Sequence, residues 1–112
     1  MPQFQVSIHR PKGFVASEVS AEMRRTIDAV NDEMVAAGVR VFVGGLRPLD
    51  QAKALRLQPD GEILESDGGY LSTDEFVDGF WVLDVSDMDA ALTWGRKAAV
   101  ACRGDVEVRP FY

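Results

Sequence analysis

Residues 80–109 read FWVLDVSDMDAALTWGRKAAVACRGDVEVR, and this stretch decides the fold. Phe80 to Val85 is an apolar strand, and its unbroken run Phe80, Trp81, Val82, Leu83 is the pattern of a strand buried on both faces. Ser86 offers an N-cap, and Asp87 and Asp89 suit the positive end of a helix. Met88, Ala91, Leu92, Gly95 and Ala99 then recur as the inner stripe of that helix. Asp105 to Arg109 returns as a strand, with Val106 and Val108 on one face. The stretch is a β-α-β unit.

A matching unit lies upstream. Gln3 to His9 alternates, with Phe4, Val6 and Ile8 on one face and Gln3, Gln5, Ser7 and His9 on the other. Pro11 and Gly13 end this strand. Ser20 is a natural N-cap for a helix over Ala21 to Ala37, in which Met23, Ile27, Val30, Met34 and Ala37 share a face. Gly38 suits the position just past the helix, where positive φ is needed. Val39 to Val43 is the next strand. Between the two units, Ala52 to Gln58 and Glu62 to Ser66 flank Pro59-Asp60-Gly61, a turn in which Pro presets φ, Asp bonds back to the backbone and Gly takes αL.

The order β-α-β, hairpin, β-α-β is α+β. With right-handed crossovers it gives a ferredoxin-like split βαβ fold, an antiparallel sheet with an inserted β-hairpin and two helices on one face. A chain of 112 residues without linker or repeat is one domain, 1–112. The other sheet face is left bare. It is expected to carry Gln5, Ser7 and His9 together with bulky groups such as Trp81 or Phe42. A face of that kind implies a partner, here a homodimer formed sheet to sheet about a twofold axis.

Charge and composition narrow the function. The net charge is −6, and the basic residues are scattered among acids, so no nucleic-acid surface is expected. No apolar run reaches the ~18 residues of a membrane helix. The N-terminus lacks the basic start and apolar core of a signal peptide, so the expected location is cytoplasmic. Cys102 reads as a small buried apolar residue near a helix end. One Cys and one His cannot build the usual zinc site, and neither metal nor cofactor is expected.

The candidate site is the segment 67–79, DGGYLSTDEFVDG, too long and polar for a plain hairpin turn. Asp67 at a strand end could serve as a general acid or base, or could hold the loop through bonds to its N–H groups. His9, the single histidine, could pair with it as a base. Thr73 and Glu75, with Ser72 and Tyr70 beside them, are candidate ligand-binding residues. Arg47, after Gly44-Gly45-Leu46, could clamp an anion with its planar fork.

The same segment resembles the DGPF-type signature of the YCII-related family, a run near DGPFAETKEQLGGFYLI, which Asp67, Gly68, Thr73, Glu75 and Gly79 match. Val106 to Pro110, VEVRP, resembles that family's last strand, and Ala36 to Val39 and Gly44 to Leu46 also fit. Gly69 stands for the pattern's proline, Ser72 for a Glu, Asp74 for a Lys and Asp78 for a Gly. A site that needs the Glu and Lys together is therefore altered here. The resemblance implies a subunit of a dimeric α/β barrel with a small-molecule pocket between sheet and loop, with or without acid–base chemistry. Some members occur beside or fused to sigma factors, which gives the alternative of a non-catalytic partner domain linked to transcription control.

Overall fold

The computed structural model describes residues 1–112, apart from the side chain of Ala16. Alternation in the first strand continues two residues past His9, so β1 runs Gln3–Pro11. Helix α1 is Ala21–Ala36, with Ser20 Oγ accepting from the Met23 N–H at 3.1 Å. It ends in a Schellman pair: Gly38 at φ 71° donates to Val35 O, and Val39 donates to Met34 O. Ala37, expected on the inner stripe, is the exposed C-cap.

β2 is Arg40–Gly45, and β3 (Lys53–Leu57) and β4 (Ile63–Asp67) form the inserted hairpin. The Pro59-Asp60-Gly61 turn closes that hairpin, with Gly61 at φ 89° and Asp60 Oδ1 accepting from the Glu62 N–H at 2.9 Å. β5 is Glu75–Asp84, α2 is Met88–Cys102 and β6 is Asp105–Pro110. The main sheet has the order β2-β5-β1-β6, every neighbour antiparallel. That is the ferredoxin-like arrangement, with both helices on one face.

Four further details differ from the sequence expectations. β5 begins at Glu75 rather than Phe80, because Glu75, Phe76 and Val77 pair with Pro11, Arg10 and His9. Trp81 lies on the helix-covered face, buried beside Leu83, with its Nε1–H donating to Asn31 Oδ1 at 2.9 Å. Phe80 and Val82 face the other way and are half-buried, so β5 is not covered on both faces. Asp87, not Ser86, caps α2, accepting from the Ala90 N–H at 2.8 Å. The helix accordingly buries Ala91, Gly95, Ala98 and Cys102, while Met88 is exposed and Leu92 and Ala99 sit half-buried at the edge of the stripe.

The core lies between helices and sheet: Phe4, Val6 and Ile8 from β1, Trp81 and Leu83 from β5, Met34 from α1. Val106 and Val108 pack against it from β6, as expected. The central strand β5 approaches the edge strand β2 closely through glycine. A Cβ on Gly79 would stand 2.7 Å from Gly44 O, which no side chain could meet without moving the edge strand. Beyond the sheet, the β3–β4 hairpin stands as a separate two-stranded arm, and the molecule measures 49 × 35 × 18 Å.

Candidate functional site

The residues singled out in sequence divide into two groups. His9, Tyr70, Thr73 and Glu75 line one concavity of about 410 Å³, with Leu49, Gly69 and Val77 among its walls. Asp67, Ser72 and Arg47 do not line it.

The division follows from how the chain is held. β1 and β5 carry His9 opposite Val77, with β6 on the other side of His9 at Asp105. His9 is half-buried on the bare sheet face, with Nε2 3.1 Å from Ser7 Oγ. Ser7 Oγ also stands 3.5 Å from Glu107 O, and the direction of the Ser7–His9 bond follows the tautomer of the ring. The segment 68–74 crosses above this strand end. Gly68, at φ 93°, donates to Ala52 O at 2.9 Å, which ties the segment to the arm. A Cβ on Gly69 would come within 3.0 Å of Leu49 Cδ2, so the glycine permits this close seat. Lys12 donates its N–H to Asp74 O at 2.6 Å and fixes the other end.

Tyr70 is held by Arg56, whose Nη2 donates to Tyr70 O at 2.6 Å and whose guanidinium lies 4.4 Å from the ring centroid. Thr73 Oγ1 donates to Glu75 O at 2.6 Å, so its hydroxyl already has one partner. Glu75 lies on β5 rather than in the loop.

Asp67 ends β4 and pairs with Lys53 across the hairpin, its side chain 84% exposed. Arg47 Nη1 reaches Gln51 Oε1 at 3.3 Å, an exposed contact. Ser72 is exposed. Among the described residues, no three His, Cys, Asp or Glu gather to hold a metal ion.

Two residues outside those singled out in sequence, Arg10 and Asp78, form the one ion pair with a buried member among the described residues. Arg10 is 4% exposed, on the helix-covered face. Its Nη1 donates to Cys102 O at 2.6 Å and Arg103 O at 3.3 Å, its Nε to Asp78 Oδ2 at 3.4 Å, and Phe14 lies 4.4 Å from its Cζ. The carbonyls it meets are the unpaired ones at the end of α2, where a cation also suits the dipole. Asp78 reaches it because the β1–β5 register shifts between Ile8 and His9, so that Asp78 is skipped. The sequence does carry a signal for Arg10. The period-two face Phe4, Val6, Ile8 extends to it, and a charge on an apolar face requires a buried partner. Asp78 had no such signal, because a bulge is set by pairing with a distant strand. Near this pair, burial pushes the Cys102 thiol above its usual range, with Arg10 opposing and Asp78 adding to the rise. The buried apolar reading of Cys102 agrees with this.

A model of the YCII-related domain matches residues 4–112. A protein of Rhizobium meliloti (strain 1021), described only as uncharacterized, is 33% identical over 97 residues, 85% of this chain and 77% of that protein.

Proposed function

The chain belongs to the YCII-related domain family, and from that footing we propose that it binds a small molecule in the cavity between the sheet and the 68–74 segment. The observation behind this reading is the convergence of His9, Tyr70, Thr73 and Glu75 on one concavity of about 410 Å³. That volume lies within the range of small-molecule pockets. His9 supplies the proton acceptor, Glu75 a charge, and Tyr70 an aromatic wall that Arg56 holds in place. Any acid–base role of Asp67 would be exercised from outside the cavity lining, with Lys53 as its partner.

A thermal-shift screen against a metabolite library tests this, with wild type, His9→Gln and Asp67→Asn in parallel. A ligand at 100 times its dissociation constant stabilises by ~2.7 kcal/mol, several degrees for a domain of this size. A hit lost in His9→Gln and kept in Asp67→Asn supports the cavity and separates Asp67 from binding. Turnover lost in Asp67→Asn with binding intact assigns Asp67 the acid–base role. A hit indifferent to His9→Gln sinks the reading.

The same sheet face is proposed to seat a second copy of the chain. Phe42 is 51% exposed there and packs on Phe80 at 5.6 Å between ring centroids, with Val82 and Val77 beside them. Light scattering on wild type and Phe42→Asp checks this, and a wild-type monomer at micromolar concentration rules it out. A second reading, a partner domain linked to transcription control, is favoured by the bare apolar side of the arm, Leu55, Leu57 and Ile63. Retention of a bound protein by wild type and its loss in Leu57→Asp would decide for it.

A further inference from the structure

A second cavity, about 310 Å³, lies on the opposite, helix-covered side of the sheet, between α1 and the β2–β5 edge. It owes nothing to the loop cavity or to the reading proposed for it. Its charged lining is Arg10, Arg24, Asp28 and Asp78, and its apolar walls include Ile27, Val43 and Trp81.

Three observations bear on what this cavity takes. The first is Arg10. A guanidinium has five N–H groups. Nε and Nη1 of Arg10 are engaged by Asp78, Cys102 O and Arg103 O, whereas Nη2 makes no hydrogen bond among the described residues. Capping α2 therefore explains Nη1 and leaves Nη2 over. Nη2 is not sealed from solvent, since Asp84 Oδ1 is the buried side-chain atom left without a partner among the described residues, so Nη2 is free to donate to water or to a ligand in the cavity. The second is Arg24 and Asp28, one turn apart on α1. Both line the cavity, and neither belongs to an ion pair among the described residues. The third is the balance of charge. Two cations and two carboxylates face one apolar-walled space. A ligand of a single sign would meet one pair and be opposed by the other. A ligand carrying both signs meets both.

We propose that this cavity binds a small amphoteric molecule of the α-amino-acid class with an aliphatic side chain. The carboxylate lies toward Arg10 Nη2 and Arg24, the ammonium toward Asp28 and Asp78, and the side chain against Ile27, Val43 and Trp81. The volume is at the small end of ligand pockets, which suits an amino acid.

Isothermal titration tests the proposal with L-leucine and L-valine, and with two singly charged analogues, isocaproate (no ammonium) and isopentylamine (no carboxylate). Leucine or valine is expected to bind at least about tenfold more tightly than either analogue, the scale of one charge-assisted hydrogen bond. Arg10 variants put the fold at risk, so the variants are Arg24→Gln and Asp28→Asn, both exposed residues of the cavity lining. Each should weaken amino-acid binding about tenfold with thermal unfolding unchanged. Arg24→Gln should weaken isocaproate but not isopentylamine, and Asp28→Asn the reverse. Isocaproate binding as tightly as the amino acids would make the cavity a plain anion site and overturn the class. No heat with any of the four compounds, or amino-acid binding that both variants leave unchanged, would overturn the site.

Discussion

The sheet body and the hairpin arm are built from similar strands and stand in opposite conditions. In the body, Val6, Leu83 and Met34 are fully enclosed, because two helices cover one face of four paired strands. In the arm, Ala54 alone is buried, and Leu55 and Leu57 are 64% and 74% exposed. A lone two-stranded ribbon is marginal in water. The arm is held by its turn, by Gly68 and Ala52, by Lys53 and Asp67, and by Arg56 on Tyr70. Alternation makes a strand in both regions, but only a covering layer turns its apolar side into a core.

The largest expected contrast is in truncation. Leu83→Ala should cost about 2–5 kcal/mol in urea unfolding, from lost burial and the cavity left behind. Leu57→Ala should stay within about 0.5 kcal/mol in the isolated chain. An equal cost at both positions would mean that the arm is covered in solution, and a concentration-dependent cost would identify a second copy as the cover. Next come the two arginines that hold backbone carbonyls, Arg10 two of them and Arg56 one. Arg10→Met leaves Asp78 and the end of α2 without their partner and should cost about 3 kcal/mol or more. Arg56→Met, at the surface, should cost under about 1 kcal/mol. Chemical denaturation of both variants would settle whether burial makes this difference.

Two smaller effects sharpen the same line. Asp87→Ala removes the N-cap of α2 and should lower stability by about 1 kcal/mol, whereas Asp67→Asn on the arm should change it by less. The last expectation is a pH effect confined to the body. Burial raises the Cys102 thiol above 9.0, with Arg10 opposing and Asp78 adding. The folded state then holds its proton where the unfolded chain has lost it. Stability is intact below the ordinary thiol range and falls as pH rises through it. Cys102→Ala should remove that alkaline loss, measured as the pH dependence of the unfolding midpoint.

Much of the body was legible because its signals are local. Ser20, the stripe of Met23 and Met34, and Gly38 define α1 within one stretch of chain, and the Pro59-Asp60-Gly61 turn does the same for the arm. The differences arise where a distant segment decides. Ser86 and Asp87 can both cap a helix, and packing chose the second. In the run Phe80 to Leu83 every residue is apolar, so only the pairing of Val6 with Trp81 shows which side faces the helices. The start of β5 depends on the end of β1 in the same way. Within the candidate site, His9, Tyr70, Thr73 and Glu75 meet because the segment after the arm returns across β1. Asp67, Ser72 and Arg47 lie within a few residues of that crossing in sequence or on a neighbouring turn, and outward orientation separates them from it. No pattern in the sequence encodes that orientation.

The projecting arm also governs how this molecule moves through solvent. A compact chain of this length has a radius of gyration of about 13 Å, and this one has 16.0 Å, drawn out along its 49 Å axis and only 18 Å thick. Such a plate drags more water than a sphere of 12.3 kDa and tumbles unevenly about its axes. A single copy would leave a sizing column early and pass for an assembly on elution volume alone. Small-angle scattering would show a pair-distance curve with a long tail for one copy, and a shorter tail relative to mass once the arm folds against a second.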